Sequence, residues 1–429
     1  MSHPTSLAAW LAYLETLHPK TIALGLERVR TVFERLTIVP ECPAITVGGT
    51  NGKGSTCAFL ERMLSAAGYR VGLYTSPHLL RYNERVRIAG VEVDDAALCA
   101  AFAAIEAVRV DTPLTYFEFG TLAALWLFAR ARLDALVLEV GLGGRLDAVN
   151  IIDAEVAIVT TIAIDHTDYL GATRDDIARE KAGIFRPGQV AVCADRDPPA
   201  ALTAHAQAIG AMLLRMGVEF GYVAQTNQWR YFGPGGARNG LPYPALRGNY
   251  QLANAAAALT ALDTLRGRLP VSMGAVREAL VGIELPGRFQ VLPGRPVTVL
   301  DVAHNEQAAQ ALADNVAAMG FHPRTVAVFG IMADKDIDAV IAAVKPRVDR
   351  WLVASLPPPR GATSTQLRAR LAASGVAADA ILAYEDPVAA YRAAREMASE
   401  ADRILVFGSF LTVAAALAQV SGRGDLRVS

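Results

Sequence analysis

The residues of this chain best suited to chemistry begin with Gly49-Thr50-Asn51-Gly52-Lys53-Gly54-Ser55. Glycines let backbone N–H groups converge on an anion, a helix N-terminus adds partial positive charge, and Lys53 can reach terminal phosphates. Gly54 separates Lys53 from Ser55, where the usual pattern has Lys followed directly by Ser or Thr. Glu139 ends the apolar run Ala135-Leu136-Val137-Leu138. A carboxylate at that point is costly to bury unless it meets a cation or a donor. Downstream of a phosphate loop, its natural role is to hold magnesium, directly or through water. Ser76, in Thr75-Ser76-Pro77-His78, either caps a turn or supplies an oxygen to nucleotide-bound magnesium. Asp165, His166 and Asp168 form a further polar set, read either as structural or as metal-binding. Lys181 reads as part of a solvated charged turn, and an ammonium has no lone pair to give a metal.

These groups need elements to position them. Leu7 to Leu36 reads as helix broken at His18-Pro19, with Thr21 to Val29 as a short loop, an interhelical connection, before a second helix. Ala44 to Val47 reads as the strand entering the phosphate loop, and Cys57 to Leu64 has helical apolar spacing behind it. Tyr69 to Tyr74 is a second strand, whose exit carries Ser76. Tyr82 to Ile88 reads as a basic, exposed segment. Thr115, Tyr116, Phe117 and Glu118 precede an apolar helix expected over Thr121 to Ala131; the aromatics are core, or they suit a flat heterocycle. Val156 to Thr160 is a strand whose exit brings Asp165, His166 and Asp168 to the edge that carries Glu139. Gln225 to Leu246 has the turn residues of a hairpin excursion. Arg247 to Asn254 opens an alanine-rich helix whose first polar side chains either meet a nucleotide base or simply pack. Beyond the turn-dense Leu285 to Gly294, strands and helices alternate to the end, a second parallel α/β unit. Its first strand-to-helix turn reads Asp301-Val302-Ala303-His304-Asn305, without the glycines of a dinucleotide site.

Composition bounds the function. The 429 residues suffice for about two or three domains, and 52% hydrophobic against 19% charged residues is a globular composition. A net charge of −1 argues against a general polyanion-binding surface. Cys42, Cys57, Cys99 and Cys193 show no metal-ligand spacing and read as reduced thiols of a cytoplasmic protein. The N-terminal stretch lacks the pattern of a signal peptide, and the uncharged Ile404 to Gly422 reads as strand, turn and helix rather than a membrane span.

The motifs taken in order resemble the folylpolyglutamate synthase/dihydrofolate synthase family, within the Mur ligase superfamily. The carrying stretches are Gly49 to Ser55, Thr75 to Leu79, Leu138 to Asp147, Asp165-His166-Thr167, Arg179 to Ile184, Gly287-Arg288-Phe289 and Asp301 to Asn305. The resemblance implies a P-loop, Mur-ligase-like domain with a predominantly parallel sheet over residues 1–290, then a smaller Rossmann-like α/β domain over 296–429. It implies ATP-dependent joining of L-glutamate to dihydropteroate, and further glutamates to folates, through an acyl phosphate. By similarity, Thr50, Asn51, Gly52, Lys53, Gly54, Ser55, Asn254, Arg288, Asp301 and His304 contact ATP between the two domains. Two magnesium ions are implied, one with Ser76 and Glu139, the other with His166 and a carbamylated Lys181. Lys53, Glu139, His166 and Lys181 would be catalytic. The pterin end would meet Ile22, Ala23, Leu24 and Gly25, Thr115 to Glu118, and Leu146, Asp147 and Ala148. The sequence departs from the family's pattern at Ala23, where many relatives carry an acid, and at Val149, where Thr is common. The expected partners are small molecules, with no nucleic acid or membrane, and the expected state is a monomer. The alternatives are a Mur-type ligase acting on a different carboxylate acceptor and a nucleotide-gated binding protein. The segment ahead of the phosphate loop is too short for the uridine-nucleotide domain of cell-wall ligases.

Overall fold

The computed structural model describes residues 4–20, 22–38 and 40–420. Thr21 of the expected connection and the last two residues of the Ile404 to Gly422 stretch lie outside the described residues. The chain divides into two compact units: Met1–Ala245 with Leu252–Ile283, and Leu246–Gln251 with Glu284–Ser429.

The first unit opens with helices α1 (Leu7–Thr16) and α2 (Glu27–Leu36), followed by β1 (Ala44–Gly48), α3 (Lys53–Ala66) and β2 (Val71–Tyr74). Next come β3 (Val86–Ile88), β4 (Val91–Glu92), α4 (Asp95–Arg109), α5 (Tyr116–Phe128) and β5 (Ala135–Glu139). The series continues with β6 (Val156–Val159), α6 (Thr167–Leu170), α7 (Arg174–Ala182), β7 (Val190–Cys193), α8 (Ala200–Ile209) and β8 (Met212–Arg215). These strands form one eight-stranded sheet in the order β4-β3-β2-β5-β1-β6-β7-β8. It is parallel from β2 to β8, and the β2–β3 and β3–β4 pairings are antiparallel. β1 and β5 are buried along their whole length, as strands with helices on both faces must be. Register sets Val47 beside Glu139 on one side and Ile158 on the other, so the tips of β5 and β6 flank the exit of β1. Crevices at such strand ends are where open α/β sheets bind ligands.

Three expectations change here. The loop expected to run to Val29 ends earlier, because α2 begins at Glu27. The helix expected from Thr121 begins at Tyr116, because Thr115 accepts from the Glu118 N–H while the Glu118 carboxylate accepts from the Thr115 N–H. That reciprocal capping box satisfies two N–H groups at the helix start and fixes it there. Tyr82 to Ile88, expected to be exposed, is largely internal: Tyr82, Asn83 and Val86 are buried. Its arginines find partners inside the fold, Arg85 over the Tyr82 and Tyr116 rings and Arg87 on the buried Glu61 of α3. A basic side chain can pack inward when a carboxylate or ring face meets it.

The excursion before residue 246 is a separate antiparallel sheet of three strands, β9 (Gly221–Ala224), β10 (Trp229–Gly233) and β11 (Gly236–Leu241). Helices α9 (Tyr250–Thr264) and α10 (Met273–Gly282) follow.

The second unit carries β12 (Gln290–Leu292), β13 (Val297–Asp301), α11 (Glu306–Ala318), β14 (Thr325–Phe329), α12 (Ile337–Val344) and β15 (Arg350–Ala354). It ends with α13 (Ser364–Ala373), β16 (Ile381–Tyr384), α14 (Pro387–Met397), β17 (Arg403–Phe407) and α15 (Phe410–Val420). Its six-stranded sheet has the order β12-β13-β17-β14-β15-β16 and is parallel except for the edge strand β12. Among the described residues no helix is long and apolar enough to cross a membrane, and the four cysteines are free thiols.

Candidate active site

The turn between β1 and α3 is shaped by two glycines in left-handed conformations, Gly49 at φ +139° and Gly52 at φ +89°. A Cβ on Gly49 would lie 1.8 Å from the Thr160 hydroxyl, and one on Gly52 would lie 2.5 Å from the Asn254 side-chain oxygen. Backbone and neighbours therefore both demand glycine at these two points. The turn is pinned to the exit of β6. The Thr50 N–H donates to the Thr161 carbonyl at 2.7 Å, the Asn51 N–H to the Thr161 hydroxyl at 3.1 Å, and the Thr160 hydroxyl to the Asn51 carbonyl at 2.7 Å. Gly52 caps α3 without any side-chain hydrogen bond. The first N–H groups of a helix capped in this way suit an anion.

Lys53 donates from Nζ to the carbonyls of Gly49 at 3.1 Å and Thr50 at 3.2 Å. Lys181 overturns the expectation of a solvated turn: it is 4% exposed and donates to the same Gly49 carbonyl at 2.8 Å. Close packing of α7 carries it there. A Cβ on Gly144 would strike the Glu180 carbonyl at 2.8 Å, and the Arg145 N–H donates to that carbonyl at 2.8 Å. Burial first, and then the charge of Lys53, lower the Lys181 pKa to about 7, while Asp165 and Asp147 pull it back up.

Glu139 is 4% exposed at the tip of β5 and accepts the Ser76 N–H at 3.2 Å, so these two candidates are brought together. His166 adopts φ +52° at the start of α6, its N–H donating to Asp165 Oδ1 at 2.8 Å. Its Nε2 lies 3.9 Å from Asp165 Oδ2. Asp168 is exposed on α6. Among the described residues no three His, Cys, Asp or Glu side chains converge as a metal cluster.

A second neighbourhood joins the three stretches expected near the pterin end. The Gly25 N–H donates to the Leu146 carbonyl at 3.2 Å. Arg28, which sequence reasoning missed, donates to the Ala23 carbonyl at 2.6 Å and to Glu118 Oε1 at 2.9 Å. Glu118 is buried and occupied in two ways, capping α5 and pairing with Arg28, so its carboxylate positions the loop bearing Ile22, Ala23, Leu24 and Gly25. Phe117 packs close to the Gly141 backbone and 5.9 Å, centroid to centroid, from Tyr74; Phe119 is fully buried core. Asp147 caps the turn of 3-10 helix Ala148–Ile151, accepting from Leu142 N–H at 2.9 Å and Val149 N–H at 3.0 Å. Burial raises its pKa to about 7 against those donors. The signal for this neighbourhood was the Thr115-x-x-Glu118 spacing of a capping box.

In the second unit, Asp301 at the tip of β13 accepts from the N–H groups of Phe289 at 2.9 Å and Ala303 at 2.8 Å. Burial raises its pKa to about 6, opposed first by Arg288. His304 Nδ1 lies 2.8 Å from the Val302 carbonyl, the geometry in which that nitrogen carries the proton. Arg288 stacks over the Phe410 ring at 4.9 Å. The turns that carry Arg288, Asp301 and His304 thus meet at one end of this sheet.

A phosphate loop between two strand-tip polar groups, with a separate α/β unit after it, is the plan of a Mur-type ligase. The Mur ligase middle domain matches residues 47–262, and the Mur ligase glutamate ligase domain matches 287–410. Dihydrofolate synthase/folylpolyglutamate synthase of Escherichia coli (strain K12) is 48% identical over 418 residues, covering 97% of this chain and 96% of that one. The solved structure of E. coli FolC in complex with DHPP and ADP superposes with a TM-score of 0.92 at 47% identity, covering 98% of each chain. The bifunctional enzyme from Yersinia pestis, complexed with AMPPNP and Mn ion, gives 0.90 at 47% identity over 98% of this chain and 100% of that one. The chain belongs to the dihydrofolate synthase/folylpolyglutamate synthase family of ATP-dependent ligases.

Proposed function

We propose that the chain joins L-glutamate to dihydropteroate and extends folates with further glutamates, through an acyl phosphate. The γ-phosphate passes to the acceptor carboxylate, and the glutamate amine then displaces phosphate through a tetrahedral intermediate. One observation carries the reading: two lysines, Lys53 and Lys181, meet the Gly49 carbonyl of a phosphate loop that lies between the tips of β5 and β6. A carboxylate approaching a triphosphate is repelled; the Lys53 cation, together with divalent ions that a carbamylated Lys181 would help to hold, would reduce that cost.

Residues 50–55 are assigned to the ATP phosphates, with Lys53 on the terminal ones, and Asn254, Arg288, Asp301 and His304 to the rest of the nucleotide. Two divalent ions fit the donors present. Magnesium takes one or two protein oxygens and completes its shell with phosphate and water, so no three-residue cluster is required. Ser76 and Glu139 would hold one ion, and His166 and a carbamylated Lys181 the other; when bound, these ions neutralise phosphate charge. Lys181 suits carbamylation because the neutral amine is the nucleophile toward carbon dioxide, and its pKa is lowered to about 7. The carbamate adds anionic oxygens and keeps an N–H for the Gly49 carbonyl, which removes the objection to a bare ammonium as ligand. Ile22 to Gly25, Thr115 to Glu118 and Leu146 to Ala148 are assigned to the pterin end, with Arg28 and Glu118 holding the first of these loops. The near-neutral charge supports work on small molecules without engagement of nucleic acid or an anionic membrane surface, and we take the chain to be a cytoplasmic monomer.

The decisive experiment incubates the purified protein with ATP, magnesium, labelled glutamate and either dihydropteroate or tetrahydrofolate. Incorporation with dihydropteroate is expected; no incorporation with either acceptor rejects the reading.

A further inference from the structure

Helix α9 carries an assigned nucleotide contact at one end and a buried ionic network at the other. Near its start, the Asn254 side chain lies so close to Gly52 that a Cβ there would be 2.5 Å from its oxygen. Near its end, Asp263 is buried, its side chain 2% exposed. Both of its oxygens are taken by the three-stranded sheet: Arg238 of β11 donates to Oδ1 at 2.7 Å and Tyr231 of β10 to Oδ2 at 2.8 Å. Tyr231 and Arg238 are cross-strand partners, so they present to the helix as a unit. The Tyr231 oxygen also lies 3.1 Å from the Thr260 hydroxyl. At the β10–β11 turn, a Cβ on Gly235 would lie 2.4 Å from the Asp263 carboxyl carbon, so glycine is what lets the turn approach.

Helical geometry relates the two ends. Nine residues separate Asn254 from Asp263, which at 100° per residue is two and a half turns, about 13 Å along the axis and on opposite faces. α9 therefore lies between the phosphate loop on one face and the antiparallel sheet on the other. Its middle, Ala255 to Ala258, is fully buried and made only of methyl groups, with the larger buried side chains Leu252, Leu259 and Leu262 on either side of that run. A surface of small side chains fixes rotation and sliding weakly, whereas a buried, directional polar pair fixes both.

We propose that Asp263, with Tyr231 and Arg238, is a positioning residue for nucleotide binding. The antiparallel sheet holds α9 in the rotation and register that keep Asn254 against Gly52. The proposal rests on the assignment of Asn254 to the nucleotide and adds a role for a sheet that the ligase chemistry leaves unused.

The test is a double-mutant cycle read by ADP affinity, so it does not depend on which acceptor the enzyme uses. Tyr231→Phe and Asp263→Asn are expected to weaken ADP binding and raise the KM for ATP about tenfold, with kcat and the KM for glutamate changed less than about twofold. In the Asn254→Ala background, Tyr231→Phe is expected to change ADP affinity less than about twofold, because the group it positions is gone. Equal losses in both backgrounds, or losses spread over kcat and both KM values, would mean general destabilisation and overturn the proposal. So would an Asn254→Ala variant with unaltered ADP affinity, whereas failed glutamate incorporation with the ADP coupling intact would reject only the acceptor assignment. If Asp263→Asn does not fold, Tyr231→Phe, which removes one oxygen, carries the test.

Discussion

Lys53 and Lys181 donate to a single acceptor, the Gly49 carbonyl oxygen, at 3.1 and 2.8 Å. Burial disfavours the charge on Lys181 first, and the neighbouring Lys53 ammonium adds to it, which together lower the Lys181 pKa to about 7. Between about 7 and 10.5 the unfolded chain holds a proton on Lys181 that the folded chain does not, so stability rises with pH across that window. Below it the full penalty applies. In nucleotide-free, bicarbonate-free buffer at pH 6.5, Lys181→Met is therefore expected to be more stable than wild type by ~2 kcal/mol or more. That advantage should shrink as the pH approaches 10. Denaturant titrations at both pH values check this, and a variant less stable than wild type at pH 6.5 would refute it.

The same residue separates stability from turnover. Lys181→Ala is expected to lower kcat by about a hundredfold or more, with partial recovery on adding a small carboxylate that occupies the space of the carbamate oxygens. Full activity in the unsupplemented variant would exclude the carbamate.

Glu139 accepts the Ser76 N–H at 3.2 Å, a contact that Glu139→Gln can keep through its remaining carbonyl oxygen. The charge is lost, and one carboxylate oxygen becomes an NH2 group that cannot bind a metal ion. The expected phenotype is a rise of about tenfold or more in the magnesium concentration needed for half-maximal rate, with thermal stability near that of wild type. A magnesium titration of initial rate reads it out, and an unchanged titration curve would remove Glu139 from the metal site.

Gly49 and Gly52 differ in what opposes a side chain. A Cβ on Gly49 meets the Thr160 hydroxyl, which is tied to the Asn51 and Gly48 carbonyls, while one on Gly52 meets the Asn254 amide. Gly49→Ala is expected to destabilise by ~2 kcal/mol or more, with a smaller cost for Gly52→Ala. Both should abolish tight ADP binding. Calorimetric titration together with denaturant unfolding tests the order, and equal stability of Gly49→Ala and wild type would contradict the packing.

Arg28 reaches across the fold to Glu118 and steadies the Ala23 carbonyl at 2.6 Å. Arg28→Met leaves the carboxylate capping α5 but releases the loop from Ile22 to Gly25. We expect the KM for dihydropteroate to rise about tenfold while the KM for ATP stays within about twofold, because an ordered loop becomes a mobile one. Steady-state kinetics with each substrate varied decides it, and a rise confined to ATP would move the pterin site elsewhere.

Much of the architecture is written locally, in patterns a single stretch can carry. The apolar runs at Ala44 to Val47 and Ala135 to Leu138, the glycines ahead of Lys53, and the strand–helix alternation from Val297 onward all form the elements they suggest. The start of α5 was equally legible in Thr115-x-x-Glu118, but the apolar run beginning at Thr121 masked it. Other features were decided only by the tertiary structure, because they depend on partners distant in sequence. Lys181 is buried because α7 packs onto the glycine-rich loop after β5 and carries it to a carbonyl 132 positions away. Tyr82 to Ile88 turns inward because α3 supplies a carboxylate to Arg87 and α5 a ring to Arg85. A charged side chain alone reads as solvated, and whether burying it is favourable depends on which donor, acceptor or charge the fold sets against it.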